Sequence, residues 1–440
     1  MSETIKIGLI GFGTVGSGSA RILLTQQELI SKRAGCNIVL SKICDKDITT
    51  DRGFEVPKEI LTTDVNEVLE DSEIKIVIEL IGGIEPAKSF ILKAIRNGKH
   101  VVTANKALLA THGQEIFYEA YKNNVEVGFE ASVGGGIPII KTVKEGLVAN
   151  NIETVLGIMN GTANYILSSM TDRGISFEEA LKKAQELGYA EADPTYDVEG
   201  IDTAHKLAIM AMLSFGVKAS LDDIYTEGIT TLKPIDIAFA SEFGYRIKLL
   251  AIAKRHKDGV ELRVHPTMIP ESHLLAQVNQ AYNAIYIVGD SVGKVLLYGL
   301  GAGQMPTGSA VVSDVVDIAR NISKGAINRV QSTGVPFNAL DELKLKPISE
   351  TSGRYYFRFS AIDQPGVLAQ IAGILGKYKI SIDSVVQKGR GQAQSSVPVV
   401  MLTHEAKESQ VKSALKELDK LQILTDKTVL IRVESKDFLD

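Results

Sequence analysis

The chain has 440 residues, 45% hydrophobic and 23% charged, with 48 basic against 53 acidic side chains and a net charge of −5. At roughly 150 residues per domain this predicts about three domains with large cores, and it excludes a disordered chain, a fibrous repeat and the basic surplus of a nucleic-acid binder. The two cysteines, Cys36 and Cys44, exclude a disulfide framework and point to a reducing, cytoplasmic compartment, and no apolar run reaches the ~18 residues of a membrane helix. The first twenty residues mimic a secretory leader, but their five glycines fall in a spacing with another meaning.

Residues 5–10 read as a buried strand. Gly11-Phe12-Gly13-Thr14-Val15-Gly16 follows at once, and a helix runs to about residue 31. Strands at 37–44, 74–81, 100–103 and 125–129 alternate with helices at 87–97 and about 113–123, the pattern of βαβ units and a parallel sheet. Beyond residue 130 the character changes. Helices are expected at 139–148, 177–187 and 200–215, with a strand at 152–159 and further strands to about 300. A helix at about 309–321 is expected to pack back on the first domain, and 334–353, polar and irregular, reads as a linker. In the tail, Tyr355, Phe357 and Phe359 alternate with Tyr356, Arg358 and Ser360, and the order βαββαβ predicts a ferredoxin-like module at 354–436.

The glycines Gly11, Gly13 and Gly16 sit between a strand and a helix in the G-x-G-x-x-G spacing. The first permits a tight turn, the second lets a pyrophosphate approach the backbone, and the third lets helix and strand pack closely. Asp45, ending the second strand, is the candidate for the ribose hydroxyl or an exposed turn residue. Lys46 and Arg52 nearby suit a 2′-phosphate instead, so the choice between NAD and NADP stays open.

A second cluster lies in 188–206, which carries Glu191, Asp193, Asp197, Glu199 and Asp202. Asp202 and Lys206 are four apart, on one helix face. They are either a solvated ion pair or the lining of a cavity, where carboxylates suit an ammonium and a desolvated lysine suits proton transfer. Glu130, in a glycine-rich run, is either part of a flexible loop or a hard-cation site. The seven histidines show no zinc spacing, and His205 reads as structural.

The stretches 7–16 (IGLIGFGTVG), 101–106 (VVTANK), 129–138 (FEASVGGGIP), 160–165 (NGTANY), 187–194 (LGYAEADP), 200–206 (GIDTAHK) and 301–308 (GAGQMPTG) resemble homoserine dehydrogenase, and 363–369 (DQPGVLA) resembles the ACT signature. The resemblance implies an α/β protein with a Rossmann domain at 1–130, an α+β catalytic and dimerisation domain at 131–333 and an ACT domain after the linker. It implies NAD(P)-dependent interconversion of L-homoserine and L-aspartate 4-semialdehyde, on the route to threonine, methionine and isoleucine. Phe12, Gly13, Thr14 and Val15 would lie on the dinucleotide, Gly303 over it, and Thr103 and Lys106 near the nicotinamide. Gly161, Thr162, Tyr189, Glu191, Asp197 and Asp202 would surround the amino acid. Lys206 would be the acid/base, with Lys106 the alternative. Glu130 and the carbonyls of Val133, Gly135 and Ile137 resemble the family's monovalent-cation site, for Na⁺ or K⁺. A homodimer or homotetramer, an amino-acid effector (threonine, received at the turn 363–367) and no nucleic-acid or membrane partner are implied. The rivals are a non-catalytic dinucleotide and amino-acid sensor, or another amino-acid dehydrogenase. Read as a separable module, the tail is expected to be removable near Gly353 with catalysis retained, provided the catalytic domains keep their own dimer contacts.

Overall fold

The computed structural model describes residues 3–340, 343–388 and 396–434. The first 128 residues build a six-stranded parallel sheet from β1 (Thr4–Ile10), β2 (Asn37–Cys44), β3 (Leu61–Thr62), β4 (Ile74–Glu79), β5 (His100–Thr103) and β6 (Val127–Gly128), in the order β3-β2-β1-β4-β5-β6. Helices α1 (Thr14–Thr25), α2 (Gln27–Ala34), α3 (Asn66–Leu69), α4 (Ala87–Arg96) and α5 (Lys106–Lys122) lie between the strands. Ile76, Val77, Ile78, Val101 and Val102 are fully buried, as strands covered by helices on both faces must be. The first helix, expected unbroken to about residue 31, divides at Gln26 into α1 and α2.

Helix α5 starts seven residues earlier than the sequence pattern indicated. Asn105 caps it, its side-chain oxygen accepting the Leu108 amide at 3.1 Å, and Gly113 lies buried within the helix rather than starting it. After α6 (Ile139–Lys141) the expected helix at 139–148 widens into a π-helical turn at Thr142–Gly146.

The second region holds β7 (Ile152–Ile158), α7 (Gly161–Arg173), α8 (Phe177–Glu186), α9 (Thr195–Val198), α10 (Ile201–Phe215), β8 (Tyr225–Thr226), α11 (Pro234–Glu242), β9 (Tyr245–His256), β10 (Gly259–Pro270), β11 (Tyr282–Gly289), β12 (Gly293–Leu300) and α12 (Gln304–Ser323). Helix α12 returns to the first sheet, where Val311, Val315 and Ile318 share a core with Ile7 and Leu9. It crosses α1 at glycines. A Cβ on Gly18 would lie 2.2 Å from the Gln304 carbonyl oxygen, and one on Gly308 2.8 Å from the Gly18 backbone.

The tail contributes β13 (Leu345–Lys346), β14 (Ser352–Ile362), α13 (Val367–Lys377), β15 (Ile382–Gln387), β16 (Ser396–Thr403), β17 (Ala406–Lys407), α14 (Glu408–Leu418) and β18 (Val429–Val433). Its sheet is not free-standing. The strand path runs β12-β11-β7-β9-β10-β18-β14-β16-β15, with Thr267 and Met268 of β10 paired to Arg432 and Val433 of β18. Tyr355, Phe357 and Phe359 pack against α13 and α14, while Tyr356, Val400, Leu402 and Ile431 on the other face join the large core that runs through the second region. Within the stretch read as a linker, β13 pairs with Val260 and Glu261 of β10.

Candidate active site

The glycine turn after β1 has the geometry a dinucleotide needs. Gly11 has φ +100°, and a Cβ there would lie 2.6 Å from the Leu80 backbone. A Cβ on Gly16 would lie 1.9 Å from the Gly11 oxygen, whereas Gly13 faces open space. Thr14 and Val15 begin α1, so their amides sit at its positive end. The Asp45 carboxylate reaches the turn itself, accepting the Phe12 amide and, at 2.9 Å, the Asp47 amide. The Arg52 guanidinium lies 5.4 Å from the centre of the Phe12 ring, and its buried Nε has no hydrogen-bond partner among the described residues. Gly303, φ +125°, ends the loop that leads into α12, and the Gln304 side chain donates to Ser17 Oγ at 2.9 Å on α1.

Thr103, at the carboxyl end of β5, donates to Glu79 Oε2 at 2.8 Å and accepts the Asn105 amide at 3.0 Å. Burial raises Glu79, opposed by the Thr103 hydroxyl and the Ile81 and Gly82 amides. Glu79 was not among the expected site residues; an acidic residue closing the apolar run Ile76-Val77-Ile78 was the available signal.

The lysines and carboxylates converge beside this strand end. Asp202 is 5% exposed. Its Oδ1 takes Lys106 Nζ at 2.7 Å and its Oδ2 takes Lys206 Nζ at 2.7 Å. Lys206 also donates at 2.6 Å to the carbonyl of Met159, the residue that follows β7. Burial would raise the Asp202 carboxyl, but the two ammonium groups hold it well below its ordinary range. Lys206 is lowered, by burial first and by the nearby Lys106 charge, against the pull of Asp202. Lys106 is partly open to solvent; burial lowers it, and Asp202, Asp197 and Glu191 more than compensate, leaving it raised.

Asn160 Nδ2 joins Asp197 Oδ1 (2.7 Å) to Asp202 Oδ2 (2.9 Å). Thr162 donates to the Tyr189 carbonyl at 2.6 Å, and the Tyr165 and Tyr189 rings lie 5.0 Å apart. Gly161 is pressed on the Ala281 carbonyl, which a Cβ would approach to 2.7 Å. Glu191 is exposed on the loop before α9, near enough to raise Lys106. The His205 ring lies stacked with Tyr196, 6.4 Å between centres; burial lowers it, with the Asp202 charge opposing.

Glu130 lies apart from this cluster. It is buried, accepts the Ile140 and Lys141 amides at 2.8 and 2.9 Å, and its carboxyl is pushed up to about 7 by burial and by Asp314. Gly135 packs on the loop after β12, its would-be Cβ 2.4 Å from the Gly301 oxygen. No group of three or more metal-ligating side chains occurs among the described residues, so a cation here would depend on backbone carbonyls such as those of Val133, Gly135 and Ile137.

Sequence profiles match this arrangement in three pieces. Residues 11–130 match the homoserine dehydrogenase NAD-binding domain, 138–316 homoserine dehydrogenase, and 355–422 the ACT domain. A homoserine dehydrogenase of Pseudomonas aeruginosa is 46% identical over 98% of this chain and 99% of its own. The chain belongs to the homoserine dehydrogenase family. A homoserine dehydrogenase crystal structure from Thiobacillus denitrificans superposes with a TM-score of 0.93 at 46% identity, covering 99% of this chain and all of that one. A hyperthermophilic archaeal homoserine dehydrogenase, solved in complex with NADPH, matches 71% of this chain and 97% of its own at 25% identity and a TM-score of 0.59. The homoserine dehydrogenase architecture of NAD-binding sheet, catalytic domain and ACT domain thus accounts for nearly the whole chain, and its chemistry is oxidation and reduction at a CH–OH carbon.

Proposed function

We propose that Lys206, Asp202 and Lys106 carry the interconversion of L-homoserine and L-aspartate 4-semialdehyde, with Lys206 moving the proton. The observation that supports this most is the single buried carboxylate, Asp202, gripping one lysine on each oxygen at the carboxyl ends of the strands. The bound nicotinamide supplies the hydride acceptor. Lys206, lowered by burial, takes the hydroxyl proton, and in reverse returns it to the forming alkoxide. Lys106, raised and partly open, stays charged and steadies the substrate oxygen or carboxylate. Glu191 and Asp197 hold the substrate ammonium, while Thr162, Gly161 and Tyr189 shape the pocket around it. A protein that only senses ligands has no need of a lowered lysine against a shared carboxylate, which is why catalysis is preferred to sensing.

Phe12, Gly13, Thr14 and Val15 hold the pyrophosphate, with Thr103 and Gly303 along the cofactor's other edges. Because the Asp45 carboxylate is engaged by the Phe12 and Asp47 amides, and the Arg52 guanidinium lies over Phe12 beside that turn, paired among the described residues only with Asp47 at 3.3 Å, the adenosine end is suited to NADP. Glu130 with the carbonyls of Val133, Gly135 and Ile137 holds a monovalent cation, Na⁺ or K⁺. Two buried carboxyls side by side, Glu130 and Asp314, support that placement. The tail at 354–436 acts as the amino-acid sensor, with threonine the leading effector. The exposed Tyr298 and Leu300 of edge strand β12 support a homodimer or homotetramer, and both cysteines, buried and free, suit the cytoplasm. The test is absorbance at the reduced nicotinamide band with L-homoserine and each nucleotide in turn. Turnover with NADP preferred supports the reading; none with either nucleotide overturns it.

A further inference from the structure

Asn160 is buried between the two halves of the charged cluster, and its side chain is fully engaged. An amide offers two N–H donors and one carbonyl. Here Oδ1 accepts the Ala163 amide at 2.8 Å, capping α7, and Nδ2 donates to Asp197 Oδ1 at 2.7 Å and Asp202 Oδ2 at 2.9 Å. The neighbours fix the orientation of the group. Turned over, its carbonyl would face two carboxylates and its N–H₂ a backbone N–H.

The electrostatic setting gives that contact its consequence. Asp197 on α9 and Asp202 on α10 are like charges. Asp197 is raised, by burial first and then by the charge of Asp202, with the Asn160 bond opposing. Lys206 and His205 on α10, Lys106 on α5 and Glu191 on the loop before α9 are the other titratable groups around them. Asp202 Oδ2 receives both Lys206 and Asn160, so the amide and the lysine together set which way the carboxylate plane faces. Oδ1 is thereby left to Lys106.

We propose that Asn160 is a positioning residue for the reaction: its amide holds Asp197 and Asp202 together and turns Asp202 so that one oxygen faces each lysine. This rests on the catalytic reading above. The helix cap alone does not require asparagine, because aspartate and serine cap equally well. The two donors do require it.

Asn160→Asp keeps the cap and the shape but replaces the donors with a third carboxylate. Asn160→Ser keeps the cap and cannot span both acids. Both full-length variants should bind NADPH as the parent does. Turnover of homoserine should fall by about 100-fold in kcat/KM for Asn160→Asp, misplacement of reacting groups by ~1 Å being worth about that much. The acid limb of its pH profile, set by Lys206, should move up by about one unit or more, as an added carboxylate beside the lysine favours its charged form. Asn160→Ser should fall on the order of 10-fold. A second readout does not need activity. The melting temperature of Asn160→Asp should lie furthest below the parent at high pH, and the gap should close as the pH falls and the carboxyls protonate. Parental kcat/KM and pH profile in both variants, or a melting gap that does not vary with pH, would reduce Asn160 to a helix cap and overturn the proposal. If Asn160→Asp does not fold, Asn160→Ser decides in the same way. If the parent itself fails to turn over homoserine, the catalytic reading falls, and the melting curves still judge the clamp.

Discussion

Two regions bury clusters of charge, and they use different cations. Where the tail meets the catalytic sheet, arginine dominates. Arg358 grips Asp236 with Nε at 2.6 Å and Nη2 at 3.1 Å, and Tyr356 donates to the same carboxylate. Arg432 forks onto Glu408 and reaches Glu227 at 2.8 Å, and Glu434 joins Arg263 (2.9 Å) to Lys254 (2.8 Å). At the proposed active site both cations are lysines. A guanidinium does not give up its proton and matches a carboxylate with two parallel bonds. An ammonium shifts its pKa readily when buried. The seam is built so that charge stays put; the site is built so that a proton can leave.

The contrast can be broken hardest at the seam. Arg358→Met leaves Asp236 buried without its charge partner, a loss of about 3–5 kcal/mol that denaturant unfolding of the whole chain would register. A stop codon after Gly353 goes further, removing β18 from β10 and uncovering the core face packed by Tyr356, Leu402 and Ile431. The sequence pattern alone anticipated surviving catalysis in that truncation. With the shared sheet in view, the expected outcome is a chain that does not accumulate as soluble enzyme, read by expression and light scattering.

Smaller effects sharpen the other side of the comparison. Arg52→Ala should raise the KM for NADP about 10–100-fold and leave that for NAD nearly unchanged, since a charge-assisted bond contributes about 1.5–3 kcal/mol. Glu191→Gln should raise the homoserine KM only a few-fold, because the carboxylate is exposed and screened; an unchanged KM would return it to the solvent. The mildest test is pH. His265 lies buried against Arg263, and its folded pKa is well below the ordinary 6.5, through burial first and the charges of Arg432 and Arg263 next. The unfolded chain therefore binds the proton first. Its contribution to stability is intact above about pH 6.5 and is lost progressively as the pH falls toward the folded value. Melting temperature measured from pH 8 to 5 should show that decline, flattened in His265→Gln.

Features set by neighbours in sequence were legible in the sequence: the glycine turn at 11–16, the i, i+4 pair Asp202 and Lys206, the alternating faces of 355–360. Features set by distant partners were not. Asn160 meets Asp202 across 42 positions, and Arg358 meets Asp236 across 122. Asn160 stood in view within the stretch 160–165, but nothing local shows that its amide joins two acids. The stretch at 334–353 looked like a linker because its two-residue pairings, Leu345 and Lys346 on β10 and Ser352 and Gly353 on β17, are too short to carry a pattern of their own. Lys106 was anticipated by resemblance alone; its place on the second oxygen of Asp202 follows only from the packing of α5 beside α10.

The central claim is that Lys206 moves the proton, and the pH dependence of homoserine oxidation tests it most directly. With the parent enzyme, kcat/KM should rise with pH through an ionisation below the ordinary lysine value, since Lys206 must be neutral to accept the proton. Lys206→Ala should bind cofactor, lose about 10²–10⁴-fold in rate and lose that ionisation, and Lys206→Arg should not restore either. A near-normal rate with the same pH profile in Lys206→Ala would contradict the account and assign the proton to Lys106.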